Sequence, residues 1–121
     1  MNTFQNISEE KIIYRGDYYF LVYDSYPVSP GHILIISQDI KSDFFELSDV
    51  EKIELPLMID KAKEIIESSY SPNGFNIGMN CRKAAGQTVM QFHCHVIPRY
   101  QGDMDDPRGG IRHCIKGKGY Y

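Results

Sequence analysis

The chain has 121 residues, 42% of them hydrophobic and 24% charged, a balance that suits one packed domain over 1–121 and excludes a disordered chain. No apolar run approaches the roughly 20 residues that a bilayer span needs, and Met1 to Glu10 has neither the basic start nor the apolar stretch of a signal peptide, so a cytoplasmic protein is expected. A net charge of −3 excludes steering onto nucleic acid by the overall field.

Ile12 to Arg15 and Tyr18 to Tyr23 are short β-rich runs split by Gly16-Asp17, a turn signal, and together predict a hairpin. Pro27-Val28-Ser29-Pro30-Gly31 is a turn-rich loop ahead of a nearly continuous apolar strand, His32 to Ser37. A connector over 41–46 leads to Ser48, which forms a capping-box signature with Glu51 three residues on. Val50, Ile53, Leu57, Met58, Ala62, Ile65 and Ile66 then recur at helical spacing and are read as core. Pro56, inside this pattern, predicts a kink or a restart. Ser71-Pro72-Asn73-Gly74 closes the helix, and a strand from Phe75 to Asn80, a loop from Cys81 to Gly86 and a strand from Thr88 to Ile97 follow. The core is expected over about 11–100, with an irregular tail over 101–121 that carries Arg108, Arg112, Lys116 and Lys118. This order predicts an α+β fold, an antiparallel sheet of about five strands with one long helix on one face.

The three cysteines, Cys81, Cys94 and Cys114, form neither an even set nor a C-x-x-C pair. They argue against a disulfide framework and a cysteine zinc site, and are read as small apolar fillers in a reducing compartment.

The most informative run is Val89-Met90-Gln91-Phe92-His93-Cys94-His95-Val96-Ile97. Alternation along a strand puts Met90, Phe92, Cys94 and Val96 on one apolar face and Gln91, His93 and His95 on the other. Two histidines at this spacing have three readings: hydrogen-bonded structural histidines, two imidazole ligands of a zinc needing a third such as His32 or Asp24, or nucleophilic or acid–base catalysis. Just upstream, Gly86-Gln87-Thr88, with Arg82 and Lys83 in the same loop, supplies anion-binding donors.

Gly86-Gln87-Thr88-Val89-Met90-Gln91-Phe92-His93-Cys94-His95-Val96-Ile97-Pro98-Arg99 resembles the signature of the histidine-triad (HIT) superfamily. In this register Gln91 occupies the first histidine position, His93 the middle and His95 the third. Pro27-Val28-Ser29-Pro30-Gly31-His32 resembles the family's Pro-x-x-Pro-Gly-His strand entry, and Asp24 and Asn80 fall at family positions. The resemblance implies a HIT-like fold and a nucleotide hydrolase or transferase in which His93 attacks the α-phosphorus of a purine nucleotide, with no metal in the chemical step. Diadenosine tetraphosphate and nucleoside phosphoramidates are the implied substrates, and no cofactor is required, though the substrate can arrive as a magnesium complex. The backbone carbonyl of His95 would hold the other ring nitrogen of His93. His95, Gln87, Thr88 and Asn80 would stabilise the phosphate oxygens beside Gly86, and His32 would support the cluster. Asp24 would bind ribose, while Arg99, Arg108 and Arg112 would reach distal phosphates. Gln91 would donate a hydrogen bond but shuttle no proton. The alternative is a nucleotide-binding regulator with little turnover. The implied partners are a small nucleotide and a second copy of the chain in a homodimer, with no nucleic acid and no membrane.

Overall fold

The structure, a computed structural model, describes residues 3–121. Five strands, β1 (Ile12–Arg15), β2 (Tyr19–Tyr23), β3 (Ile33–Ser37), β4 (Gly74–Gly78) and β5 (His93–Arg99), form one antiparallel sheet in the order β1-β2-β3-β5-β4. One long helix, α1 (Asp49–Ser69), lies between β3 and β4 in the chain and packs on one face of the sheet. The expected α+β architecture is therefore present. Among the described residues no helix is long and apolar enough to cross a membrane.

The period of two along the strands builds two apolar layers. Tyr19 and Leu21 of β2, Ile33 and Ile35 of β3, and Cys94 and Val96 of β5 face α1, where Leu55, Met58, Ala62 and Ile66 meet them. Phe20, Val22, Leu34 and Ile36 face the other way, under Phe4, Ile7 and Ile12. The N-terminal segment thus covers the β2–β3 part of the sheet face that α1 leaves open. β5 lies between β3 and β4, with Leu34 opposite His95 and Ile36 opposite His93, so the ladder holds the histidine-bearing strand from both sides.

Ser48 and Glu51 form the capping box reciprocally, Ser48 Oγ accepting from the Glu51 amide and Glu51 Oε1 from the Ser48 amide, a cap that contributes about 1 kcal/mol. The helix continues unbroken past Pro56 rather than restarting there. Its buried stripe is narrower than the sequence suggests. Val50, Ile53 and Leu57 are exposed, and the charged Glu51 and Glu54 are buried in their place. Glu54 accepts the amides of Asp17 and Tyr18 and so caps the β1–β2 turn, while Glu51 also pairs with Lys41. A carboxylate with several donors is tolerated where an unpaired one is not.

The last strand also differs from expectation. Residues 88–92 are not strand, and Met90 is exposed rather than core. Phe92 donates its amide to Lys41 O in the β3–α1 connector, so this stretch bends across the sheet end before β5 begins. Of the cysteines only Cys94 is a buried filler; Cys81 is half-buried, Cys114 is exposed, and all three are free.

Candidate active site

His93 and His95 project from the face of β5 opposite α1, with ring centroids 5.4 Å apart. The Nδ1 of His93 lies 2.8 Å from the carbonyl oxygen of Gln91. A carbonyl only accepts, so this nitrogen carries a proton, and in the neutral ring Nε2 is the one with the lone pair. The tautomer is held by the Gln91 carbonyl, not by that of His95 as the sequence comparison implied.

A second chain of bonds sets His95. The Val28 amide donates to His32 Nδ1 at 3.2 Å, so the His32 proton sits on Nε2. That Nε2 stands 2.9 Å from His95 Nδ1, which must accept. The His95 proton is then on Nε2, available as a donor. Asp24 Oδ2 lies 3.4 Å from the same His32 nitrogen, while its Oδ1 accepts the Tyr26 amide. Burial pushes the His95 pKa down to about 4, with His93 and His32 nearby adding to the effect and Asp24 opposing it. Burial lowers that of His32 as well, against the pull of Asp24. At neutral pH both rings are uncharged, as the relay requires.

Asp24, His32 and His95 are also the one group among the described residues that could gather around a metal ion. In this structure the two imidazole nitrogens stand 2.9 Å apart, a hydrogen-bond length.

The Gln91 side chain is bonded to backbone groups. It is wholly buried; its Nε2 donates to Ser37 O at 2.7 Å and its Oε1 accepts the Phe4 amide at 2.8 Å. The side chain thus ties the end of β3 to the N-terminal segment, and Phe4 sets its ring edge-on to His93 at 5.0 Å. Phe4 and the Val28 amide escaped the sequence reading. The apolar pair Phe4 and Ile7 was a signal for a covering segment, but nothing local identified the amide donor at 28.

The loop before β5 closes on itself. Gln87 Oε1 accepts the Arg82 amide, and its Nε2 donates to Ser42 O and Val89 O. The side chain expected to hold phosphate is instead committed to shaping the loop. Arg82 is held at φ 79° and Gly86 at φ 95°, and Asn80 and Thr88 are exposed at the loop's ends. Arg99 is also committed elsewhere: it makes a two-bond pair with Asp103 and donates to Asn76 Oδ1. Arg108 lies over Tyr120 and Arg112 over Tyr121. The structure therefore brings together His93, His95, His32 and Asp24, and sets Arg99 apart as a clamp on the tail.

This fold, with histidines paired on a central strand, has known counterparts. The HIT domain family matches residues 5–102, and the chain belongs to it. The AP-4-A phosphorylase of Mycobacterium tuberculosis is 34% identical over 100 residues, covering 80% of this chain and 51% of its own. The asymmetrical bis(5'-nucleosyl)-tetraphosphatase of Schizosaccharomyces pombe is 35% identical over 80 residues, covering 66% of this chain and 44% of its own. This chain spans about half the length of these relatives or less. A crystal structure of a HIT family protein from Bacillus anthracis superposes with a TM-score of 0.72 at 32% identity, covering 77% of this chain and 66% of that one.

Proposed function

We propose that this chain is a nucleotide hydrolase or nucleotidyl transferase acting on a purine dinucleoside polyphosphate such as diadenosine tetraphosphate, or on a nucleoside phosphoramidate. The observation that carries the reading is the 2.8 Å bond from His93 Nδ1 to the Gln91 carbonyl, which leaves a neutral Nε2 lone pair beside a fixed donor, Nε2–H of His95. In the first step Nε2 bonds to the α-phosphorus and the bridging oxygen toward the β-phosphate departs with its electron pair. The His93 ring becomes an imidazolium whose Nδ1–H stays on the Gln91 carbonyl, and His95 donates to a phosphoryl oxygen as charge builds there. Water then bonds to phosphorus as the P–Nε2 bond breaks and its electron pair returns to the ring, and the water's proton passes to solvent, leaving free nucleotide and neutral His93.

In this reading Gln91 stands where the family's first histidine would, Asp24 takes ribose hydroxyls, and Asn80, Gly86, Gln87 and Thr88 frame the phosphate through the loop. No cofactor takes part in the chemistry. The names of the M. tuberculosis and S. pombe relatives support the polyphosphate class. A homodimer belongs to the same proposal: Phe45, Val50, Ile53 and Leu57 are exposed, and the last three lie on one side of α1. Cytoplasmic residence belongs to the same proposal, and three free cysteines support it.

The test is incubation with diadenosine tetraphosphate and with adenosine phosphoramidate. AMP release, with labelled nucleotide trapped on the protein by acid quench and lost in His93→Ala, is the expected result. Tight AMP binding without turnover of either would replace it with a regulatory nucleotide-binding role. That second reading is favoured by one feature, the complete commitment of Gln91 to backbone groups.

A further inference from the structure

The side chains on the site face of β5 run His93, His95, Ile97, Arg99, and the strand beside it offers almost nothing in return. Gly78 stands opposite His95, Asn76 opposite Ile97 and Gly74 opposite Arg99. A Cβ added at Gly78 would meet no atom within 4 Å, so the sheet is open beside His95. The next pair along the same face, Asn76 and Ile97, lines a cavity of about 390 Å³, and the open strip at Gly78 is the trough that joins the two. Val28, Ile97, Met104 and Pro107 give it apolar walls, and Asn76 and His113 contribute polar groups. The cavity is not a general feature of the family's matched segment: half of its lining, from Asp103 to His113, lies beyond residue 102, where the match ends. The Arg99–Asp103 pair and the Arg99–Asn76 bond hold this part of the tail against the sheet.

We infer that this tail-walled cavity is a second nucleoside site, which takes the base and ribose of the leaving group of a dinucleoside polyphosphate. The inference rests on the nucleotide reading proposed above. Its geometry is that of a two-ended substrate. The four residues from His93 to Ile97 span about 13 Å of strand, a reach that an extended tetraphosphate with its second ribose covers and the single P–N bond of a phosphoramidate does not. A planar base suits apolar walls with a few polar groups at the edge, the usual make-up of a small-molecule pocket. Arg99, expected from the resemblance to reach the distal phosphates, acts here by building the wall.

The experiment uses the full chain carrying His93→Ala, so that ligands bind without turnover, and calorimetry with diadenosine tetraphosphate and adenosine 5'-tetraphosphate. The dinucleotide is expected to bind about tenfold more tightly, and Met104→Trp, which fills the cavity from an exposed position, is expected to erase that difference. Gly78→Val, which obstructs the trough without meeting a neighbour, is expected to do the same. With His93 intact, either substitution lowers the ratio of kcat/KM for diadenosine tetraphosphate to that for adenosine phosphoramidate by about tenfold. Equal affinity for the two tetraphosphates, or a difference that survives both substitutions, overturns the second site alone. Binding of neither overturns the nucleotide reading on which it stands.

Discussion

The two faces of β5 are built from alternate residues of one strand and have opposite fates. Cys94 and Val96 enter the layer under α1, where apolar side chains close around them, and burial pushes the Cys94 thiol up to about 12, out of reach of chemistry at neutral pH. His93 and His95 leave by the other face, half-buried, each with one ring nitrogen fixed by a neighbour. The pleat alone separates a stable interior from a reactive edge by the thickness of a strand. The difference teaches that rigidity and reactivity need not be traded along this strand, because the first face carries the packing and leaves the second free to carry lone pairs.

Four experiments would break or sharpen that contrast. The largest effect belongs to the reactive face: His93→Ala should lower AMP release by roughly 1,000-fold or more in rapid-quench assays while leaving the far-UV circular dichroism and Tm nearly unchanged. On the closed face the pattern should invert. Ile66→Ala, at a wholly buried position, should cost about 2–5 kcal/mol in urea unfolding and leave kcat of the folded protein intact; a matching loss of kcat would mean that the faces are coupled.

Gln91→Ala falls between them, since its side chain serves both packing and positioning. It strands the Phe4 amide and the Ser37 carbonyl, for about 1–3 kcal/mol of stability, and loosens the turn whose carbonyl holds His93, for about a tenfold slower nucleotidyl transfer. Stability lost without any change in rate would show that the anchor is structural only.

The smallest effect is on pH dependence. His95 has its pKa lowered in the folded state to about 4, first by burial and then by the neighbouring histidines, against about 6.5 unfolded. Between these values the unfolded chain binds more protons, so stability is full above about pH 6.5 and falls as pH drops toward 4. His32, lowered by burial, adds to the same slope. Tm measured from pH 7 to 4 should decline, and His95→Asn should flatten part of that decline.

Much of this was legible in the sequence. The strand alternation, the capping box of Ser48 and Glu51, and the outward pairing of His93 and His95 are local properties, set by periods of two and of 3.6 residues. What was not legible depends on distant partners. Alternation places Gln91 beside the histidines but cannot name its partners, which are residues 54 and 87 positions away in the chain. Of the apolar residues at helical spacing, Met58, Ala62 and Ile66 meet the sheet with Leu55, while Val50, Ile53 and Leu57 stay exposed, because periodicity does not say how wide the buried stripe is. Likewise Gln87 is the right residue type to hold an anion, and only the closed loop reveals that Arg82, Ser42 and Val89 claim it first.

The relay that ends at His95 begins at a main-chain amide, that of Val28. An amide has no ionisation in the working range of water and no rotamer to change, so the orientation it imposes on both rings is not open to adjustment by any nearby side chain. Substitutions around the pair can tilt or crowd the imidazoles, but they leave the sense in which hydrogen is passed along unaltered. Proline at position 28 is the exception, because it alone deletes the N–H from which the order originates.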